Sequence, residues 1–512
     1  MTFRFFYLSA SACSLFVPGI GRTQPGSPAA GSQASGPHII LIVTDQQRAD
    51  ALGCVNNAVI TPNLDRLARE GYLFGNAYSA APSSTPARSG LLTGMSPWRH
   101  GMLGYGNVAE TYPCEMPRML RDLGYMTLGV GKMHWRPQTA LHGFHATITD
   151  ESGRRETPYF ISDYHKWFYS QAFGANPDAT GLGWNDHGAR SYALPERLHP
   201  TAWTGDTAVS VIEHYDAAAP LFLKVSFARP HSPYDPPQRI LQQYLDVDIP
   251  APAHGDWSRG VGQGVSPEED PDAAFGDFGD AYAIHTRRHY YASVTFIDEQ
   301  VGRIVDALKR RGMYDRALIC FVSDHGDMMG DHNHWRKTYA YEGSAAIPMI
   351  VKLPAEMKRS VAPGRQIDAP VELRDLLPTF LAVNGAPRPE IMDGMPLTEL
   401  LCNPTPHWRR WLGLEHATCY SEDNYWCAVT DGKFKYIWFF PTGKEQLFDL
   451  EHDPHECQDL SGDNRYAARL DEMRDALADY LSERGPEWVQ NGRAVKRTAP
   501  MLYSPHYPRI EK

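Results

Sequence analysis

Ile39-Ile40-Leu41-Ile42-Val43 runs straight into Thr44-Asp45-Gln46, so an unbroken apolar stretch ends in side chains able to bind a ligand. Three further runs have the same form. MTLGV (126–130) leads into Gly131-Lys132-Met133-His134, LFLKVSF (221–227) precedes Arg229-Pro230-His231, and LICFV (318–322) precedes Ser323-Asp324-His325. Continuous Val, Ile, Leu and Phe without alternation is the pattern of strands buried on both faces, as in parallel sheets with helical crossovers. In an open α/β sheet the ligand crevice lies at the carboxyl ends of the strands. The four polar clusters should therefore converge on one edge.

Helical signals fill the gaps. TPNLDRLAREG (61–71) has Thr61 at the cap position and Pro62 in the first turn, while MPRMLRDLG (116–124) and SVTFIDEQVGRIVDALKRRG (293–312) each stop at a glycine. VELRDLLPTFLAVNG (371–385) is followed by proline-rich sequence, which sets a boundary near residue 400. Beyond it, FKYIWFF (434–440) and EQLFDLEHDP (445–454) alternate like strands before the helical YAARLDEMRDALADYLSERG (466–485). The expected fold is α/β: a large mixed, mostly parallel sheet sandwiched by helices over 37–400, then a smaller C-terminal antiparallel sheet plus helix over 401–512. The Gly-, Asp- and Pro-rich stretch 252–281 reads as a long surface loop.

Composition bounds the function. With 512 residues, 42% apolar and 21% charged, the chain has the make-up of a soluble globular protein rather than a disordered, fibrous or membrane-embedded one. A net charge of -11 gives no global attraction to nucleic acid, so none is expected as a partner, and an anionic substrate would need a local cluster of cations. Eight cysteines include no C-x-x-C, against a zinc ribbon or a thioredoxin-type dithiol; a Cys419–Cys427 pair stays open. Residues 1–36 carry Arg4, the apolar FFYLSASACSLFVPGI and a Gly/Ser/Pro/Gln-rich tail, read as an export signal and spacer. That run is shorter than the roughly 20 residues a spanning helix needs, so no stable membrane insertion is expected. Cys13 follows Ala10-Ser11-Ala12, a poor lipobox, and the expected destination is the bacterial periplasm.

The segment Ser84-Thr85-Pro86-Ala87-Arg88-Ser89-Gly90-Leu91-Leu92-Thr93-Gly94 carries the chemistry. Alone, Ser84 or Thr85 would be a helix cap, with Pro86 in the first turn. The whole string resembles the signature of the sulfatase family, C/S-x-P-x-R followed by S-x-L-L-T-G, whose first residue is oxidised to formylglycine. Leu447-Phe448-Asp449-Leu450 with Asp453-Pro454-His455-Glu456 also resembles the family's L-Y-D-L-x-x-D-P-x-E stretch. The resemblance implies an alkaline-phosphatase-like fold, hydrolysis of a sulfate monoester, and a maturase that modifies Ser84 during biosynthesis. An aldehyde hydrate offers two hydroxyls: one attacks sulfur, and the other lets the sulfated intermediate collapse to aldehyde and free sulfate.

The remaining roles follow from the same resemblance. Arg88, one helical turn beyond Ser84, would hold the hydrate. Asp45, Gln46, Ser84, Asp324 and His325 would hold one calcium ion, a hard cation that takes roughly six to eight oxygen ligands. The family's pattern has a second Asp at Gln46 and often Asn at His325, so this site carries less negative charge. Lys132 and His134 in GKMHW match G-K-x-H, His231 in RPHSPY matches P-H-x-P, and Lys337 in HWRKTYAYEGS matches W-x-K. Lys132 would grip sulfate, His134 would help deprotonate the hydrate, and His231 or Lys337 would protonate the leaving oxygen.

PWRHGMLGYG (97–106), GKMHW (131–135) and HGFHATITDESGRRETP (142–158) look most like enzymes that remove the 2-O-sulfate of unsaturated uronic acids from glycosaminoglycan fragments. The expected partner is then a sulfated oligosaccharide, with His100, Arg154 and Arg155 as candidate substrate contacts; a solvated surface charge is the alternative for the arginines. Two other functions compete. One is phosphonate monoester or phosphodiester hydrolysis, because related enzymes pair Asp-Gln with Asp-His at the metal. The other is a non-catalytic carbohydrate-binding protein with Ser84 never oxidised, which would not need the acid–base set Arg88, Lys132, His134, His231 and Lys337.

Overall fold

The four apolar runs are neighbouring strands. In the computed structural model, which describes residues 36–509, the main sheet comprises β1 (His38–Asp45), β2 (Tyr72–Phe74), β3 (Met126–Gly131), β4 (Ala146–Thr149), β5 (Leu221–Pro230), β6 (Ala317–Ser323), β7 (Met349–Lys352) and β8 (Arg365–Ile367). Their order across the sheet is β4-β3-β5-β1-β6-β7-β2-β8. Strands β4, β3, β5, β1 and β6 are mutually parallel, and β7 runs against both β6 and β2.

Strand alternation explains why β1 is apolar throughout. Ile39, Leu41 and Val43 enter one core with Leu91, Leu92, Leu376 and Phe380, whereas Ile40 and Ile42 enter another with Leu64, Leu67, Ile297 and Ile304. The first face is covered by α2 (Ser84–Thr93), α3 (Met116–Asp122) and α6 (Leu376–Ala382), the second by α1 (Pro62–Glu70), α4 (Pro200–Glu213) and α5 (Asp280–Arg310). The sheet is therefore sandwiched as expected.

Near the C-terminus, β9 (Leu412–His416), β10 (Trp426–Thr430), β11 (Phe434–Phe439) and β12 (Glu445–Asp449) form an antiparallel meander, and α7 (Ala467–Leu481) follows. Leu470, Met473 and Leu477 of α7 pack on Cys427, Val429 and Tyr436. The opposite face, with Leu414, Trp426 and Ile437, packs on Tyr78, Met328 and Ala345 from the larger sheet's loops. Cys419 and Cys427 are not bonded to each other; both thiols are free. Among the described residues no helix is long and apolar enough to cross a membrane. The signal and spacer reading covers residues 1–36, of which 1–35, with Cys13, lie outside the described residues.

A buried ionic cluster ties the loop after β1 to the loop after β6. Arg48 Nη1 lies 2.7 Å from Asp331 Oδ2, Arg287 Nη2 of α5 lies 2.6 Å from Asp331 Oδ1, and Arg48 Nε lies 2.7 Å from Asp50. Burial opposes ionisation of Asp331, but the Arg287 and Arg48 guanidiniums outweigh it and hold the carboxyl well below its usual range. Asp331→Asn leaves two buried guanidiniums short of charge and should cost about 3–5 kcal/mol, read by urea denaturation at neutral pH. Because the native carboxyl is depressed, its stabilisation is present above the unfolded value and fades as pH falls; the gap to wild type should narrow below about pH 4. An unchanged urea midpoint at neutral pH would refute this account of the cluster.

Candidate active site

Asp45 is the last residue of β1, Lys132 follows β3, His231 follows β5, and Asp324 and His325 follow β6. Parallel pairing puts all these carboxyl ends on one edge, where α2 begins with Ser84. Ser83 caps α2 in an extended conformation, and Gly94 ends it in the left-handed region at φ 68°. Ser84 thus sits where unpaired helix N–H groups and the helix dipole favour an anion.

Each side chain there is held. His325 Nδ1 donates to Gly326 O at 2.8 Å, which leaves Nε2 with its lone pair, 3.1 Å from Ser84 Oγ. Arg88 is fully buried and saturated: Nε bonds Asp324 Oδ2 at 2.9 Å, and Nη2 bonds Asp45 Oδ2 at 3.0 Å. Its Nη1 donates to Lys132 O and Ser226 Oγ, both at 3.0 Å. Lys132 Nζ lies 2.6 Å from Asp45 Oδ2. Burial works against the Asp45 charge, yet Lys132, His231 and Arg88 keep the carboxyl well below its usual range.

One atom breaks this saturation. Asp45 Oδ1 is buried with no hydrogen-bond partner. Donor atoms of Asp45, Asp324 and His325 all lie within 4.8 Å of one another. A buried, unpaired carboxylate oxygen is costly, and a cation among these donors removes the cost. The residues present fit a metal ion. Gln46, in the left-handed region at φ 71°, borders the group: its backbone N–H donates to Asp324 Oδ1 at 3.0 Å, and its amide nitrogen donates to Asp327. Its Oε1 accepts from Lys337 Nζ at 2.6 Å and keeps a second lone pair.

Lys337 Nζ also lies 2.8 Å from His231 Nε2, whose ring is oriented by Nδ1 donating to Ser232 O at 2.9 Å. Burial lowers the Lys337 ammonium to about 7, and burial together with Lys337 holds His231 well below its usual range. His134, left-handed at φ 64°, has its backbone N–H on Glu151 Oε1 at 3.0 Å and a buried Nδ1 with no partner. Burial, then Lys132, keeps it neutral. Ser84, Lys132, His134, His231 and Lys337 line a cavity of about 270 Å³ whose walls include Tyr105 and Trp184.

The predicted substrate contacts divide. Arg154 lines this cavity, clamped by Glu151 Oε2 at 2.7 Å and the Trp135 carbonyl at 2.9 Å. Arg155 is exposed and does not line it. His100 is not a substrate contact: it is buried, accepts from Met102 N–H at Nδ1 over 3.2 Å, and packs beside Gly90. Burial lowers it to about 3, leaving a neutral core imidazole.

Sequence reading missed several residues. Glu151 holds both the 133–134 backbone and Arg154, and its signal was present, since Thr149-Asp150-Glu151 is another strand end turning acidic. His416, at the end of β9, meets Ser83 Oγ through Nε2 at 2.8 Å, with Nδ1 donating to Ala417 O at 2.5 Å. The C-terminal sheet thereby holds the residue before Ser84. Asp327 accepts from Tyr234 Oη at 2.7 Å and from the backbone N–H of Met329 and Arg336, besides Gln46.

Residues 37–386 match the family model described as Sulfatase, and residues 330–483 match that of the N-sulphoglucosamine sulphohydrolase C-terminal region. An arylsulfatase of Clostridium perfringens is 37% identical over 474 residues, covering 90% of this chain and 97% of that one. Human iduronate 2-sulfatase is 25% identical over 68% of this chain and 69% of its own. The solved phosphonate monoester hydrolase of Agrobacterium radiobacter has the same fold, with TM-score 0.73 at 24% identity over 90% of this chain and 99% of that one. The chain belongs to the sulfatase family, sulfuric ester hydrolases of the alkaline-phosphatase superfamily.

Proposed function

We propose that this enzyme hydrolyses a sulfate monoester on a carbohydrate, using a formylglycine made from Ser84 and a calcium ion held by Asp45, Gln46, Asp324, His325 and modified Ser84. The observation that carries this reading is the unpartnered Asp45 Oδ1 beside Asp324 and His325, with Ser84 at the adjoining helix N-terminus. When bound, the ion supplies Lewis-acid polarisation of a sulfate oxygen. Oxidised and hydrated Ser84 supplies one hydroxyl to attack sulfur and a second whose deprotonation releases sulfate.

The chain's own residues do the rest. Arg88 spans both carboxylates, fixes them as acceptors and offsets their charge. Lys132 faces the cavity beside Asp45, where its ammonium binds the sulfate. His134, neutral and with a free Nδ1, takes the proton of the attacking hydroxyl. The hydrogen-bonded Lys337 and His231 pair returns a proton to the departing ester oxygen.

For the substrate, the reading is a glycosaminoglycan fragment bearing a 2-O-sulfated unsaturated uronic acid. Arg154, partly exposed at the cavity, is the residue that would pair with the uronate carboxylate. The similarity to an enzyme named for iduronate 2-sulfate points the same way. Desulfation assays on defined sulfated disaccharides and aryl sulfates should rank the 2-O-sulfated uronate first. Preference for a 6-O-sulfated hexosamine or an N-sulfate would overturn the substrate while leaving the sulfatase standing.

A further inference from the structure

A second cavity, of about 390 Å³, adjoins the reaction cavity, and Trp184 belongs to the wall of both. Its size falls in the range of roughly 300–1,000 Å³ found for small-ligand pockets. Trp184 is set between two cations, with Lys132 Nζ 5.9 Å and Arg229 Cζ 5.6 Å from its ring centre, and His231 stands edge-on at 5.3 Å. Glycine at 153 makes room for it, since a Cβ there would come within 2.7 Å of the indole nitrogen.

Tyr164 and Tyr192 supply further aromatic wall, and Asp150 and Ser152 supply polar groups with nothing to bind. Asp150 is fully buried; its Oδ1 accepts the Ser152 N–H at 2.8 Å, but Oδ2 has no partner, and neither has the buried Ser152 Oγ. Burial raises the Asp150 carboxyl to about 6. Arg229 has its Nε taken by Asp235 Oδ1 at 3.0 Å. Unpaired buried polar atoms are expensive, and hydroxyls that both donate and accept would satisfy them. Asp150, Asp178 and Asp235 outnumber the single Arg229 in this cavity, so a second anion is disfavoured there.

We infer that this cavity is a binding subsite for an uncharged, hydroxyl-bearing ring joined to the sulfated residue. The inference rests on the carbohydrate reading above and deepens it: the reaction cavity takes the charged sugar, and the adjoining cavity selects what is attached to it.

The test uses the full-length converted enzyme and two 2-O-sulfated disaccharides that differ only in an N-acetyl or an N-sulfo group on the second ring, with 4-nitrophenyl sulfate as a check of folded, competent protein. The wild type should favour the N-acetyl disaccharide by about tenfold or more in kcat/KM. Asp150→Asn and, separately, Thr180→Val, at a threonine that lines the same cavity, should shrink that ratio several-fold, a readout that general damage would not move. Equal kcat/KM for the two disaccharides, or a preference untouched by both substitutions, overturns the subsite and leaves the carbohydrate sulfatase intact. Turnover of the aryl sulfate with no turnover of either disaccharide overturns the carbohydrate reading, and the subsite with it.

Discussion

Asp324→Ala should leave the protein without stoichiometric calcium and lower sulfate release by more than about 10³-fold. Asp324 Oδ1 receives the N–H groups of Gln46 and His325, each at 3.0 Å, so one carboxylate shapes the ends of β1 and β6 at once. Its Oδ2 anchors Arg88 Nε at 2.9 Å. Alanine removes a donor from the Asp45, Asp324 and His325 group and leaves Arg88, which is fully buried, with Asp45 alone. A buried charge that loses its partner costs about 3–5 kcal/mol, so thermal stability should fall as well. Asp324→Asn separates the two effects, because it keeps the shape while removing the charge. Elemental analysis decides the point: one calcium per chain retained by purified Asp324→Ala would refute the assignment of Asp324 as a ligand, while the asparagine amide oxygen can still serve as a donor.

Ser84→Ala should have a larger kinetic effect and a smaller structural one. The Ser84 side chain makes one hydrogen bond, to His325 Nε2 at 3.1 Å, and the N-cap position of α2 is held by the neighbouring Ser83 rather than by Ser84. Folding should therefore stay near wild type, calcium should be held less tightly for want of one oxygen ligand, and turnover should drop by about 10⁵-fold or more, as when other enzymes lose a covalent nucleophile. Circular dichroism, calcium content and sulfate release on one preparation measure all three. Sulfate release within tenfold of wild type would remove Ser84 from the chemistry.

What the sequence disclosed follows from how each residue is held. Strands β1, β3, β5 and β6 were legible because burial on both faces demands apolar side chains at every position, and the polar residues that end them are the site. Strands β9 and β10 were not: LGLEH and WCAVT are five residues each, too short for alternation to mark them, and the Asp431-Gly432 turn from β10 into β11, with Gly432 at φ 86°, went unread. His100 misled because it closes a four-residue helix, too short for periodicity to tell an inward face from an outward one. Arg154 and Arg155 are adjacent and alike, and what distinguishes them is the hold that Glu151, Glu156 and the Trp135 carbonyl have on Arg154. His416 reaches Ser83 across 333 positions, a contact that no local pattern encodes.

The most direct test follows conversion of Ser84 and sulfate release together. Protein expressed with and without a serine-type maturase is digested, the Ser84 peptide is weighed by mass spectrometry, and the same samples are assayed for sulfate released from an aryl sulfate and for phosphonate monoester cleavage. The account predicts a peptide lighter by two hydrogens, sulfate release proportional to the converted fraction, and little phosphonate cleavage. Full sulfate release by protein whose Ser84 remains serine, or converted protein that cleaves the phosphonate and releases no sulfate, would contradict it.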